Sequence, residues 1–317
     1  MDALASRDLH ALVIGDASVA LVADAPLVRA DTLARDQRGD ALIAAVQAAR
    51  LGAATAFVTR VGDDVFGDWL LESWEAEGLH LDFARRCHGR NALVLASRAD
   101  GPHRAVAYRE GSVAAQLDDS DVDGLPYGRA RALFASGATQ ALGPSPSAAI
   151  LRAFEHARAA GVQTVFDPSL RAGLWPGPDG DRAAQAAFDA LLPLTDVLVI
   201  GAPYASGKLL GQAGAADAAR AALHRGVRRV VVRDSGRGAV IGEGGRVARL
   251  EAAEAEPLGN DAVWPPAAFD GALVAGLAAG DGLEAAARGA LAALEACRGG
   301  ARGSFDRLTR ELAGAAS

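Results

Sequence analysis

Lys208 is the only lysine among the 317 residues. It sits in SGKLLG and not in the G-x-x-x-x-G-K-[ST] arrangement, so a P-loop is excluded. Cations at any anion-binding site must therefore come from arginine, whose planar fork suits bidentate contact with a carboxylate or phosphate. The stretch with most chemical content is Pro257 to Leu277, PLGNDAVWPPAAFDGALVAGL, which reads as a loop closing onto a long apolar helix that begins near Pro266. Such a junction holds phosphate when side-chain-free backbone and unpaired N–H groups face the anion. It moves a proton when a carboxylate stands at the helix start. Here Pro265 and Pro266 have no N–H, Trp264 fills space, and Ala267 cannot titrate. Two carboxylates lie nearby. Asp261, in Gly259-Asn260-Asp261-Ala262, must fold back to the helix start to serve as a base, and Asp270, a turn inside the helix, is expected to point elsewhere.

The elements that would position these groups alternate in type. Ala11 to Ile14 is a buried-strand run ending in Gly15-Asp16, where Asp16 reads as a turn residue. Ala41 to Leu51 is an amphipathic helix ended by Gly52, Ala56 to Val61 a buried strand, and Asp68 to Glu77 a second helix. Leu93 to Arg98 and Arg104 to Tyr108 alternate about Asp100-Gly101 as a hairpin. Strand Ala132 to Gly137, helix Ser147 to Ala160 and strand Gln163 to Phe166 form a βαβ unit. A helix from Arg182 to Leu191, a strand from Asp196 to Ile200 and a helix from Ala215 to Leu223 follow, then a short strand centred on Val230 to Val232. Val240-Ile241 and Ala248 to Leu250 flank GEGG as another hairpin, and helices are expected over Gly282 to Ala296 and Ser304 to Ala313. This order predicts an α/β fold with a mostly parallel sheet.

Composition narrows the partners. A net charge of −7 supplies no basic patch for nucleic acid, and no run of 18 apolar residues or signal-like start marks a membrane or secreted chain, which predicts a cytoplasmic protein. Cys87 and Cys297 are unpatterned and read as reduced thiols, and the six histidines show no metal-ligand spacing, so no metal site is predicted from side-chain clusters.

From Leu9 to about Ala301 the motifs, in order, resemble the ribokinase-like (PfkB) carbohydrate kinases, most closely the 2-keto-3-deoxygluconate type. Arg50-Leu51-Gly52 with Gly62-Asp63-Asp64-Val65-Phe66-Gly67, and Asp167-Pro168-Ser169-Leu170-Arg171 with Leu174-Trp175-Pro176, are the most specific matches. The resemblance implies one three-layer α/β/α domain over 1–317 with a small β-lid from about 19–36 and 92–113 that often doubles as a homodimer contact. It implies a sugar or sugar-acid site drawing on Arg38, Gly39, Asp40, Tyr108, Arg109 and Arg171. Tyr108 and Arg109 read equally as lid-strand residues, and Asp167 reads as a loop-fixing residue. Gly236 and Gly238 resemble the turn beside the nucleotide, and also an ordinary hairpin turn. ATP and Mg²⁺ are implied only if kinase chemistry is retained.

The departures cluster where the family does chemistry. Family residues that bind sugar become Ala20, Arg38 and Ile43, the Asn of D-P-N-x-R is Ser169, and the N-x-x-E beside Mg²⁺ is Gly201-Ala202-Pro203-Tyr204. The G-A-G-D of the phosphate turn is Trp264-Pro265-Pro266-Ala267. One expectation is therefore a kinase fold that has lost efficient phosphoryl transfer and keeps a binding or interaction role, with Arg38, Arg109 and Arg171 converging on an anionic ligand. The alternative is an active carbohydrate kinase whose motif is displaced by an insertion of about six residues, with Asp261 as the base.

Overall fold

The computed structural model describes residues 9–99, 105–234, 237–252 and 264–299. Its centre is a nine-stranded sheet built from β1 (Ala11–Ile14), β4 (Thr55–Gly62), β5 (Ala84–Cys87), β8 (Ala132–Ser136), β9 (Gln163–Asp167), β10 (Val197–Ala202), β11 (Arg229–Asp234), β12 (Ala239–Glu243) and β13 (Arg246–Leu250). The spatial order is β13-β12-β11-β10-β9-β8-β1-β4-β5, parallel from β11 to β5, with β12 and β13 added antiparallel at one edge. A sheet covered on both faces needs apolar residues at consecutive positions, which is why these strands read as unbroken runs. Ala11 and Val13 of β1 enter one core, and Leu12 and Ile14 the other.

Helices α1 (Asp40–Arg50), α2 (Gly67–Ala76), α8 (Trp264–Ala279) and α9 (Leu283–Gly299) cover the first face, and α4 (Pro144–Ala159), α5 (Gly180–Leu191), α6 (Tyr204–Leu210) and α7 (Ala215–His224) the second. The short α3 (Gly137–Gln140) follows β8 directly. Together they form the three-layer ribokinase-like sandwich expected from the motifs. Apart from Asp270, helix α8 is apolar around its circumference and accordingly buried, with Ala267, Ala268, Phe269 and Leu273 all in the core. It crosses α1 closely: a Cβ at Gly271 would stand 2.3 Å from the Ala44 carbonyl oxygen.

A second sheet runs β3-β2-β6-β7, from β2 (Ser18–Ala23), β3 (Ala34–Arg38), β6 (Ala92–Ser97) and β7 (Val106–Tyr108). It is tied to α2 by the Trp74 indole N–H, which donates to Gln37 Oε1 at 2.6 Å, and by Arg35 stacked 4.1 Å from the Trp69 ring centre. Element ends differ from the sequence reading by one to three residues, and three named elements were not foreseen. These are β5, whose ARRC lacks an apolar signature, the one-turn α3, and α6, interrupted by Gly207. The helix expected over 304–313 lies outside the described residues.

The tight α1–α8 crossing makes a direct prediction. Gly271→Val should force the two helices apart and lower stability by about 1–3 kcal/mol, read as a reduced urea midpoint at unchanged m.

Candidate active site

In open parallel sheets the crevice for a ligand lies beyond the carboxyl ends of the strands. Asp16 follows β1, Asp167 ends β9, Arg233 lies near the end of β11, and the N-terminal turns of α1 and α8 project into the same region. Gly39 joins β3 to α1 with φ of 141°, and a Cβ there would come within 2.4 Å of the Asp16 carbonyl, so only glycine lets the helix start sit against the β1 turn.

Three arginines reach into this region, each already engaged. The Arg109 guanidinium, just past β7, donates to Asp16 Oδ2 at 3.0 Å and to the Ala138 carbonyl at 2.6 Å, while the Thr139 hydroxyl donates to Asp16 Oδ1 at 2.9 Å. Asp16 is buried and more than a turn residue: it fixes the β1 end to α3. Arg171 donates to Asp40 Oδ2 at 2.7 Å. Burial opposes its charge, but Asp40, Asp16 and Asp167 together hold the Arg171 guanidinium above its ordinary range. Ser169 between them has φ of 45°, a left-handed conformation that asparagine tolerates better than serine, and its N–H is held by Asp167 Oδ1 at 2.7 Å. Asp167 thus fixes its loop, as expected.

Its other oxygen has a second task. Arg233 donates to Asp167 Oδ2 at 2.6 Å, to Asp270 Oδ1 at 2.5 Å and to the Pro266 carbonyl at 3.1 Å. The guanidinium also lies 5.8 Å from the Phe269 ring centre. Asp270 therefore does not point away from the strand ends. It is fully buried against Arg233, which the sequence reading did not single out, although a lone Arg closing the run Val230-Val231-Val232 is the visible signal. Burial pushes the Asp270 carboxyl well above the usual carboxylate range; Asp167 and Asp40 push the same way and Arg233 opposes them.

Arg38 faces the same side of the small sheet as Ser18, with which it is paired in register, and burial followed by Arg98 lowers its pKa against the pull of Asp36. Tyr108 pairs with Leu93 on the opposite face and is exposed, so Arg109 enters the crevice and Tyr108 does not. Gly238 has φ of 103°, and a Cβ there would stand 2.0 Å from the Leu250 carbonyl, a local reason for glycine in the β11–β12 turn. A cavity of about 370 Å³ adjoins that turn between Pro203, Asp217, Asp234, Arg237 and Arg249, with Arg249 paired to Asp234 at 2.8 Å. Gly236 and Asp261 lie outside the described residues.

At the α8 start Ala267 is buried and without a titratable group. The loop Gly201 to Tyr204 offers no carboxylate, and Tyr204 is half exposed at the start of α6, so these residues do not fit Mg²⁺. Among the described residues no helix is long and apolar enough to cross a membrane.

The sequence profile of the pfkB family carbohydrate kinases matches residues 8–307. The chain belongs to the PfkB family. Among curated relatives, this PfkB chain is 31% identical over 226 residues to a 2-dehydro-3-deoxygluconokinase of Thermoproteus tenax, covering 69% of this chain and 67% of that protein. It is 34% identical over 140 residues to Fructokinase-2 of Zea mays, a match spanning 42% of this chain and 40% of the relative. Its fold superposes on a PfkB protein from Polaromonas sp. JS666 with TM-score 0.81 at 26% identity, over 92% of this chain and 96% of the other. A fructokinase from Vibrio cholerae, solved with fructose, ADP and calcium, shares the fold at TM-score 0.80 and 22% identity, over 96% and 97%.

The two kinds of arginine pair should respond differently to truncation. Arg233→Met leaves two buried carboxyl groups without their cation and should cost about 3–5 kcal/mol. Arg171→Met strands one buried carboxylate, Asp40, but removes a cation that is itself half exposed, and should cost less, about 1–3 kcal/mol. Urea unfolding of both variants checks the contrast.

Proposed function

We propose that this PfkB-family chain binds a sugar or sugar acid in the crevice at the strand ends and has lost efficient ATP-dependent phosphoryl transfer. The observation that carries this reading is Ala267, buried at the first turn of α8 where the family resemblance expects the proton acceptor. Two neighbouring features support it. Pro265 and Pro266 remove N–H donors from the turn that would hold a phosphoryl group, and Tyr204 stands where the resemblance expects a carboxylate beside Mg²⁺.

What persists is a set of hydrogen-bonding groups suited to hydroxyls. Asp16 and Asp40 are paired with Arg109 and Arg171, so donors and acceptors alternate around the crevice while their charges offset. The relatives named for 2-dehydro-3-deoxygluconate and fructose make those two compounds the first ligands to test. A cytoplasmic homodimer completes the proposal, with the β7 edge of the small sheet, where Val106 and Tyr108 are exposed, as the contact.

A second reading rests on Gly259-Asn260-Asp261-Ala262, a G-x-D-A sequence ahead of α8 that would supply a displaced base. One experiment separates the two. Purified protein is mixed with ATP, Mg²⁺ and either 2-keto-3-deoxygluconate or fructose, and ADP release is followed for wild type and Asp261→Asn. The first reading expects background rates from both proteins, together with a rise in melting temperature on adding one of the sugars. Turnover by wild type that disappears in Asp261→Asn would establish the second. Absence of any sugar-dependent thermal shift would overturn binding at the crevice.

A further inference from the structure

The buried charges beneath the first turn of α8 are unevenly matched. Arg109 has Asp16 and Arg171 has Asp40, but Arg233 alone serves both Asp167 and Asp270. Both carboxyl groups are inaccessible to water, with 1% exposure of each side chain. Two ionised carboxylates gripping one guanidinium would leave a full negative charge without solvent or counterion, a state that neighbouring carboxyl groups avoid by retaining a proton. The hydrogen-bond inventory locates the place for it. Asp167 uses one oxygen for the Ser169 N–H and the other for Arg233. Asp270 gives Oδ1 to Arg233, and its Oδ2 is buried with no donor among the described residues.

We propose that Asp270 keeps its proton beneath the Arg233 guanidinium, next to Asp167, and that this proton is a pH-sensitive latch fastening the first turn of α8 to the sheet. With it in place the seven linked groups balance: three guanidinium charges against three carboxylates and one neutral acid. Without it, the α8 turn carries a carboxylate repelled by Asp167 from β9 and by Asp40 from α1. Among the described residues Arg233 from β11 is the cation that contacts Asp270 directly, and it divides its contacts among Asp167, Asp270 and the Pro266 carbonyl. Arg171 stands behind Asp40 and is already engaged with it. On α9, packed against the other side of α8, Glu284 and Arg288 pair with each other at the surface. Ser136 of β8, in register with Asp167, contributes a buried hydroxyl with no titration in this range.

The sign follows from linkage. Burial, with Asp167 and Asp40, raises Asp270 in the folded chain above its unfolded value of about 3.9. The folded state therefore binds the extra proton, its stabilisation is complete in acid, and it is lost as pH rises from about 4 through the raised folded value. The unfolding equilibrium should shift by up to about tenfold per pH unit in that interval.

The test compares wild type with Asp270→Asn, which keeps the shape and the hydrogen bond to Arg233 but cannot titrate. Thermal unfolding from about pH 5 to pH 9 should show the wild type losing stability relative to the variant as pH rises. Parallel profiles would overturn the latch. Carboxyl ¹³C NMR of aspartate-labelled wild type needs no variant: one aspartate should keep the signal of a protonated acid at neutral pH and titrate only toward alkaline pH. Ordinary acidic titration of every aspartate would equally refute the proposal. Neither measurement involves phosphate transfer, so both outcomes are independent of the function proposed above.

Discussion

Charge removed from water at the carboxyl ends of the strands must be matched locally, and that requirement shapes the candidate site. A buried guanidinium with two carboxyl partners is stable only while the geometry is held, because loss of any member exposes the others to an uncompensated low-dielectric environment. Arg233 therefore does more than pair. By reaching Asp167 on β9, Asp270 inside α8 and the carbonyl of Pro266, it converts an electrostatic need into a fixed position for the helix start.

The position held in this way is the one that matters most for chemistry in the family. A phosphoryl site at a helix start depends on backbone donors and on a carboxylate at the right turn. In this chain the first turn of α8 is proline-rich, its Ala267 is inert, and the nearest buried carboxyl group sits one turn deeper and is already engaged. The ion pairs Asp16–Arg109 and Asp40–Arg171 stand near the same strand ends.

The scaffold was legible in the sequence because buried parallel strands leave unbroken apolar runs, and α1, α2 and α8 announce themselves by composition and period. The β5 strand was not, since ARRC at a sheet edge alternates polar side chains that only pairing with β4 can organise. Of the candidate site, Ala267 at the start of α8 and the loop from Asp167 to Arg171 at the end of β9 could be placed directly. The partner of Asp270 could not. Helix geometry says which way a side chain leaves the axis, but which strand presents an arginine to it depends on the order β11-β10-β9, a long-range property. Likewise, Arg38, Arg109 and Arg171 were expected to converge. Strand register sets Arg38 beside Ser18, and buried carboxylates in the turn after β1 and at the start of α1 already engage Arg109 and Arg171.

The Arg233 contacts join positions separated by 66 and 37 residues in the chain. Contacts of such span form only after the intervening loops have closed, and they slow the search for the native topology. As the polypeptide emerges during synthesis, β9 waits with a buried-type aspartate until β11 and then α8 have been made. The crevice at the strand ends thus cannot reach its final shape before α8 has been made, and a chain truncated before α8 would carry a complete sheet with part of one face uncovered.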